Sequence, residues 1–570
     1  MPRFLLPLAA AVAAACIALA AQTPGAPRRH AGPFSVVEAS IADMRRAMVQ
    51  GRVTSRELVW QSLARIALYE DRLNATMSVN PRALDDADAR DAERRAGRVR
   101  GPLHGVPIAL KDNIHTTTMP TTGGALAFAG LVPPYEATLV TNLREAGAVI
   151  IAKTVLTELA NWVATGMPGN YGSLAGYGFN PYDPRRDPRE EFADGRPVLA
   201  TGGSSSGGGT AASFWAANVG TETSGSILNP ANQTMLVGIK PTVGRISRYG
   251  VIPITADQDT AGPLARSVED AAVMLGALEG RTPDPHDPAT NACTPPPGHD
   301  YTRLLDRTSL KGARIGIPRA FYYDPTPVPG TPRMEGGLTP EQHAVMAAAI
   351  AVLQAQGATI VDPADLPSVV TTDASRNLLA WPICRDTANA KGGDGACSVV
   401  FKYGMKRDFN AWLASLGQAA PVKTLAELRA WNRAHERAGT VKYGQAQLDI
   451  SDEMDVKADR ARYLADREKD VALAGRDGID AAMVTHRLDA LLFAGATGAA
   501  VAARPGYPSI VVPFGTVPNG VAAAFPAGFN PRQAPLGVTF TGRACSEPRL
   551  IALAYAFEQA TTRRVPPPLD

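Results

Sequence analysis

The sequence of 570 residues has little net charge, few cysteines and few histidines. Its 57 Lys and Arg residues against 54 Asp and Glu residues leave a formal net charge of +3, so we expect no nucleic acid partner on electrostatic grounds. No pair of the five cysteines has the spacing of metal ligands, and the eight histidines are scattered, which predicts a protein without a metal site or a cofactor. The hydrophobic fraction of 45% is that of a globular protein and excludes global disorder.

Long apolar runs are absent after the first 21 residues. Residues 4–21 are apolar, follow the single charge of Arg3 and end in a small-x-small pattern at residues 18–20. This arrangement is typical of an export signal at residues 1–21 with a Pro-rich linker at residues 22–35, and a retained membrane anchor is the alternative. We therefore expect a periplasmic or secreted protein that has no stable membrane insertion once the leader is removed.

Four cysteines follow the leader, and an even number permits disulfides in an exported protein. Cys384 and Cys397 would close a short Gly-rich loop, while Cys293 and Cys545 lie far apart in the sequence. The alternative is that some of these side chains are buried as small apolar groups, so the sequence leaves the pairing open.

Short apolar runs alternate with helical segments, which indicates an α/β protein with a largely buried sheet. Ser40 and Thr54 each precede a helical pattern, and Thr54 with Glu57 has the form of a capping box. Further helices are predicted at residues 83–97, 137–146, 340–356 and 547–560. Buried strands are predicted at residues 106–110, 148–152, 313–317, 488–493, 509–512 and 536–540.

The part of the chain after the linker is predicted to be one large domain, residues 36–570. Two Pro-rich stretches, residues 180–198 and 282–299, have the composition of surface insertions. Polar helical sequence at residues 424–470 would form a cover or lid over the core.

Lysine is scarce in the first 310 residues, which contain only Lys111, Lys153 and Lys240. Each of the three lies beside an apolar stretch. A lysine in such a place is either a half-buried structural cation or an amine whose pKa is lowered by its surroundings.

The Gly- and Ser-rich segment at residues 201–226 contains the other residues that suggest chemistry. A flexible linker fits poorly, because apolar sequence brackets both Gly/Ser clusters. A phosphate-binding loop would need a Gly-Lys-Ser/Thr ending, and the segment contains no lysine. Residues 203–207 match the G-x-S-x-G nucleophile elbow with Ser205 at its turn, which would indicate an α/β-hydrolase-type esterase.

A third interpretation combines this segment with Lys111. A lysine that is desolvated by apolar neighbours can act as a neutral amine near neutral pH. The amine could take a proton from one serine, which takes it from a second, acylatable serine, while backbone amides of a Gly-rich turn bind the oxyanion.

These residues are similar to those of the amidase signature family. The likeness is carried by residues 105–113, 202–207, 220–227 and 238–242, and it extends over nearly the whole chain after the leader. Exported bacterial amidases and peptide-amidase-like members resemble the sequence most. The resemblance implies an α/β fold with a large mixed twisted β-sheet covered by helices on both faces.

The resemblance also implies a catalytic Ser-cisSer-Lys triad. Ser226 would be the nucleophile, Lys111 the base and Ser204 the bridging serine, which the family reaches through a cis peptide bond. Ser205 would support the turn by hydrogen bonding. The oxyanion hole would be formed by backbone amides at Ser226 and at Thr223, Ser224 and Gly225.

Two positions of the nucleophile motif differ from the usual family pattern. Glu222 stands where aspartate is commoner, and Ser224 replaces a glycine. Neither change removes a residue of the implied triad.

The expected activity is the hydrolysis of a carbon–nitrogen bond other than a peptide bond, in linear amides. An acyl-enzyme would form and ammonia or an amine would leave, with a small-molecule amide or an amidated peptide as substrate. The alternatives are the esterase that uses Ser205 and a catalytically impaired periplasmic binding protein. The amidotransferase subunit that modifies mischarged tRNA shares the motifs, but the export leader contradicts a role in translation.

Overall fold

The computed structural model describes residues 34–202, 207–520 and 524–569. The predicted leader at residues 1–21, most of the linker at 22–35, and Ser204 and Ser205 lie outside these ranges. From Ser35 onward the chain forms one compact unit. In the part of the chain that the structure describes, no helix combines the length and the apolar character that a bilayer crossing requires.

The core of the protein is a mixed sheet of eleven strands. The described strands, including four in two small two-stranded sheets, are β1 (Thr76–Val79), β2 (Pro107–Lys111), β3 (Val149–Thr154), β4 (Tyr171–Gly172), β5 (Gly176–Tyr177), β6 (Ala217–Glu222), β7 (Val237–Lys240), β8 (Thr260–Ala265), β9 (Arg314–Gly316), β10 (Thr326–Pro327), β11 (Met334–Glu335), β12 (Thr359–Val361), β13 (Ala490–Ala494), β14 (Ser509–Val517) and β15 (Ala534–Thr541). The order in the large sheet is β1-β3-β2-β6-β8-β7-β14-β15-β13-β9-β12.

Three parallel neighbours in this sheet, β3, β2 and β6, determine where the chemistry is placed. Every residue of these strands is buried, as expected for parallel strands that are covered on both faces. The register pairs Leu110 of β2 with Lys153 of β3 on one side and with Val219 of β6 on the other. The carboxyl ends of the three strands therefore meet at one edge of the sheet.

Helices flank the sheet and account for the second part of the α/β architecture. They are α1 (Ile41–Val49), α2 (Ser55–Leu73), α3 (Ala83–Arg95), α4 (Thr138–Glu145), α5 (Gly208–Ala211), α6 (Leu228–Gln233), α7 (Val268–Glu279), α8 (Pro340–Ala355), α9 (Pro367–Val370), α10 (Val400–Ser415), α11 (Leu425–Ala434), α12 (Ala446–Asp452), α13 (Arg460–Val471), α14 (Ala481–His486), α15 (Ala499–Ala503) and α16 (Glu547–Thr561). A π-helical segment, Ala472–Asp480, joins α13 to α14.

The predicted helix starts are confirmed in atomic detail. Ser40 and Thr54 each accept a hydrogen bond from the backbone N–H three residues later, and Asp43 and Glu57 return the bond to complete two capping boxes. Each of the six predicted strands is also found, with ends that shift by a few residues. The sequence did not predict β6, β7 and β8, because their glycines, prolines and polar residues hide the strand pattern.

The four cysteines that follow the predicted leader form two disulfides. Cys384 and Cys397 form one of the pairings that the sequence left open and close a short loop. Cys293 pairs with Cys545 across 252 residues and ties the Pro-rich stretch at 282–299 to the start of α16. The helices of residues 424–470 follow α10, and α12 packs against α10 and α11.

Candidate active site

Lys111 is the last residue of β2 and is fully buried. Its Nζ donates to the backbone oxygen of Thr221 at 3.1 Å and to the Thr221 hydroxyl at 2.6 Å. Asn113 donates to the same hydroxyl at 3.0 Å. Because β2 and β6 are parallel neighbours, these contacts join the carboxyl ends of both strands.

Burial changes the acid–base behaviour of this amine. Desolvation lowers the pKa of Lys111 to about 7, while the carboxyl groups of Asp259 and Glu222 act in the opposite direction. A buried charged amine loses the hydration that stabilises it in water, so the neutral form gains population near neutral pH. Lys111 therefore has the protonation behaviour that a general base needs.

The turn that connects β6 to α6 contains Ser226. Gly225 has a φ of +102°, a conformation that disfavours side chains, although a Cβ there would contact only Ala499 at 3.6 Å. Within the described residues, the backbone N–H groups of Ser224, Gly225 and Ser226 donate no hydrogen bond. Ser226 is 9% exposed and Ser224 lies at the surface, so the turn presents a hydroxyl and unpaired donors together.

Glu222 fixes the end of this turn that leads into α6. Its Oε2 accepts the backbone N–H groups of Ile227 at 2.7 Å and of Leu228 at 2.9 Å, at the beginning of α6. The carboxylate thus bridges from the end of β6 to the start of the next helix and closes the turn of residues 223–227 between them. This contact gives a structural role to the residue that replaces the commoner aspartate.

Thr223 is held from the opposite side by the residues that precede β8. Its hydroxyl donates to Asp259 Oδ1 at 2.5 Å, and its backbone oxygen accepts from Gln258 Nε2 at 3.2 Å. The turn is therefore anchored at both ends by buried side chains.

The two other lysines of the first 310 residues bond to groups outside the turn of Ser226. Lys153 lies on β3, the strand beside that of Lys111. Its Nζ lies 3.4 Å from Asp112 Oδ1 and donates to the Ile114 backbone oxygen at 2.6 Å. Lys240 donates to the backbone oxygen of Tyr507.

A cleft of about 400 Å³ opens against the turn at Ser224 and Gly225. Among the described residues its lining contains no aspartate, glutamate, lysine or arginine. The other lining residues are mostly small or carry carboxamides, namely Asn229, Asn232, Gln233, Gln342, Ala494, Gly495, Ala496, Thr497, Ala499, Ala500 and Leu536.

The structure connects Lys111 to the strand before the turn of Ser226 through Thr221. Lys111 lies against the strand that leads into the turn of Thr223, Ser224, Gly225 and Ser226. Ser204 and Ser205 lie outside the described residues. Sequence reasoning missed Asn113, Thr221 and Gln258, although the first two are within the recognised motifs.

Comparison with known proteins identifies the family. The family described as Amidase matches residues 57–551. A protein named probable amidase from Arabidopsis thaliana is 33% identical over 548 residues, which is 95% of this chain and 93% of that protein. A glutamyl-tRNA(Gln) amidotransferase subunit from Synechococcus is 32% identical and covers 91% of this chain and 97% of that protein.

Solved structures agree with this assignment. Peptide amidase from Stenotrophomonas maltophilia has 36% sequence identity and a TM-score of 0.76, covering 94% of this chain and 100% of that chain. An amidase family protein from Bacillus anthracis has 28% identity and a TM-score of 0.75, covering 93% and 92%. The chain belongs to the amidase signature family, and its large mixed sheet with flanking helices is the predicted fold. It is an amidase-family hydrolase that acts on carbon–nitrogen bonds.

The pKa of Lys111 leads to a prediction for the pH dependence of activity. A base role for the neutral amine of Lys111, whose pKa is about 7, predicts that kcat/KM for an amide rises as the pH increases through about 7 and falls below it. Lys111→Arg keeps a cation that does not deprotonate, so it should lower kcat/KM about 100-fold or more. The pH–rate profiles of both proteins are the measurement, with circular dichroism as the control for folding. A wild-type profile that is flat across the neutral range would contradict the role of Lys111.

Proposed function

We propose that the protein hydrolyses carboxamides through an acyl-enzyme on Ser226, with Ser204 and Lys111 completing a Ser-cisSer-Lys triad. The observation that supports this most is the buried amine of Lys111, which bonds to Thr221 on the strand that leads directly into the turn of Ser226. Family membership supports the assignment of the triad, and the motif at residues 202–207 supports Ser204 as the bridge.

The first half of the reaction forms an ester bond to the enzyme. Ser226 Oγ attacks the carbonyl carbon while its proton passes to Ser204 Oγ, whose own proton passes to Lys111 Nζ. The carbonyl oxygen becomes an oxyanion and accepts hydrogen bonds from backbone amides of the turn at Thr223, Ser224, Gly225 and Ser226. Ser205 supports the turn.

Collapse of this intermediate breaks the carbon–nitrogen bond. The proton held by Lys111 returns through Ser204 to the leaving nitrogen, and ammonia or an amine departs. Water then attacks the acyl-enzyme by the same proton route and releases the carboxylic acid and free Ser226. Each half-reaction returns Lys111 to its starting protonation state, so no cofactor is needed.

The cleft at Ser224 and Gly225 supports a neutral substrate. The described lining residues carry no charge and offer no counter-ion to an ionised acyl group, whereas the carboxamides of residues such as Asn229 and Gln342 can pair with peptide groups. The similarity to a peptide amidase over 94% of the chain supports the same class. The proposed substrates are therefore neutral linear carboxamides and C-terminally amidated peptides.

This substrate class predicts a preference between matched peptides. An amidated peptide with a neutral residue next to the amide should be hydrolysed with a kcat/KM at least about tenfold higher than the same peptide with aspartate there, since the buried carboxylate would lack a partner. Ammonia release from the two peptides measures the ratio. Equal rates would contradict a neutral acyl site.

A serine-reactive fluorophosphonate separates the amidase from the esterase that would use Ser205. Peptide mapping should place the label on Ser226. Ser226→Ala should abolish labelling and lower amide hydrolysis by about 10³-fold or more, while Ser205→Ala keeps the label at position 226. Full amide hydrolysis by the Ser226→Ala protein would contradict the proposal. Loss of the label only in Ser205→Ala would favour the esterase, and no turnover of any amide would favour the binding protein.

We further propose that the protein is exported and acts in the periplasm or outside the cell. The apolar segment at residues 4–21 and the two disulfides support this location, because disulfides persist in oxidising compartments. In fractionated cells the protein should be found outside the cytoplasm, with an N-terminus near residue 22. A cytoplasmic chain that retains residue 1 would contradict export.

A further inference from the structure

Asp259 lies opposite Thr223 because of the register between two antiparallel strands. Glu222, the last residue of β6, pairs with Thr260, the first residue of β8. One step further along each strand, the same register places Thr223 beside Asp259, and the hydroxyl of Thr223 donates to Asp259 Oδ1 at 2.5 Å. The contact is thus a consequence of sheet pairing between segments that are 36 residues apart.

The carboxyl group that receives this bond is itself fixed. Asp259 Oδ2 accepts the backbone N–H groups of Ile254 at 2.9 Å and of Thr255 at 3.0 Å. Asp259 is only 9% exposed. A side chain that is bound at both oxygens and buried cannot follow a movement of Thr223, so it acts as a rigid support.

Gln258, which precedes Asp259, holds the backbone oxygen of Thr223. Gln258 is 1% exposed and its Nε2 donates to the backbone oxygen of Thr223 at 3.2 Å. The Thr223 oxygen and the Ser224 N–H belong to one peptide unit, which is planar and, when trans, directs the two groups to opposite sides. Fixing the oxygen therefore fixes the direction of the Ser224 N–H.

We propose that Gln258 and Asp259 are positioning residues of the hydrolysis, which hold Thr223 so that the Ser224 N–H is aimed at the oxyanion. This inference rests on the proposed function, because it takes the turn before Ser226 to be the oxyanion hole. Neither residue touches the substrate. Preorganised donors of this kind act mainly in the transition state, so the contribution falls on kcat rather than on KM.

Asp259 has a second connection to the site, through charge. Burial raises its pKa to about 7, and Thr223 and Ile254 act against this by hydrogen bonding. The charged groups that act on it are Asp408 and Arg248, and Asp259 in turn raises the pKa of Lys111. Removing its negative charge should make Lys111 easier to deprotonate.

Thr223 and Gln258 provide the first test, by steady-state kinetics with one amidated peptide. Thr223→Val and Gln258→Met remove the two donors and should each lower kcat about tenfold to about a hundredfold with KM changed less than about twofold. Thr223→Ser retains the hydroxyl and should restore most of kcat. Retained kcat in both variants, or a loss confined to KM, would overturn the proposal. A Thr223→Ser protein as poor as Thr223→Val would also overturn it.

Asp259→Asn provides the second test, through the pH profile. The variant keeps the shape of the side chain but not its charge, so the acidic limb of kcat/KM, which we expect near pH 7 in the wild type, should move to lower pH. Asp257→Asn is the matched control: Asp257 is in the same turn but faces Tyr463 and Arg407, and its profile should match the wild type. An unmoved limb in Asp259→Asn, or an equal shift in the control, would overturn the assignment of Asp259.

The two tests separate this inference from the proposed function. If Ser226→Ala abolishes turnover while the Thr223 and Gln258 variants keep kcat, positioning is wrong and the function stands. If Ser226→Ala keeps turnover, the function itself is wrong. Circular dichroism and unfolding midpoints check each variant, and should Asp259→Asn fail to fold, the Thr223 and Gln258 variants still decide the positioning role.

Discussion

The desolvation of one amine is the constraint on which the rest of the site depends. Lys111 ends a fully buried strand between two parallel neighbours, and burial lowers its pKa to about 7. In water the same amine would be almost wholly protonated at neutral pH and could not serve as a base. The large buried sheet therefore does more than support the site, because it sets the acid–base property that the proposed chemistry requires.

The contrast with Lys153 shows how the immediate partner determines what a buried lysine does. Both lysines are fully buried at the carboxyl ends of adjacent strands, and burial lowers the pKa of both. Lys153 lies against the carboxyl group of Asp112, which acts against the lowering of the Lys153 pKa by burial. Lys153 also bonds to Ile114 and Thr121. Lys111 instead bonds to the hydroxyl and backbone oxygen of Thr221. The ion pair supports a structural role for Lys153, and the bonds of Lys111 to Thr221 fit its proposed role as a base.

The nucleophile turn is held by contacts that come from two directions. Glu222 binds the first amides of α6, and Gln258 and Asp259 bind Thr223 from the segment before β8. Between these anchors, Gly225 adopts a positive φ and the amides of the turn remain unpaired within the described residues. A short, polar turn keeps one geometry here because buried groups, rather than the turn itself, determine its shape.

Local sequence patterns determined many of the strands and helices of this protein and its family. Apolar runs and capping boxes predicted six strands and the helices at Ser40 and Thr54, and the ordered motifs identified the family, Lys111 and Ser226. Such features are readable because they depend on neighbours within a few residues. The strands β6 and β8 were missed, since glycine, proline and polar residues interrupt their pattern.

Only the tertiary structure decided which partners each functional group has. The contact of Thr223 with Asp259 depends on the β6–β8 register, and the Cys293–Cys545 disulfide joins residues 252 positions apart. The lowered pKa of Lys111 likewise requires the surrounding sheet and helices to exclude water. Burial and strand register are properties of the assembled chain, so the sequence provided the candidate reacting groups while the fold determined their environment.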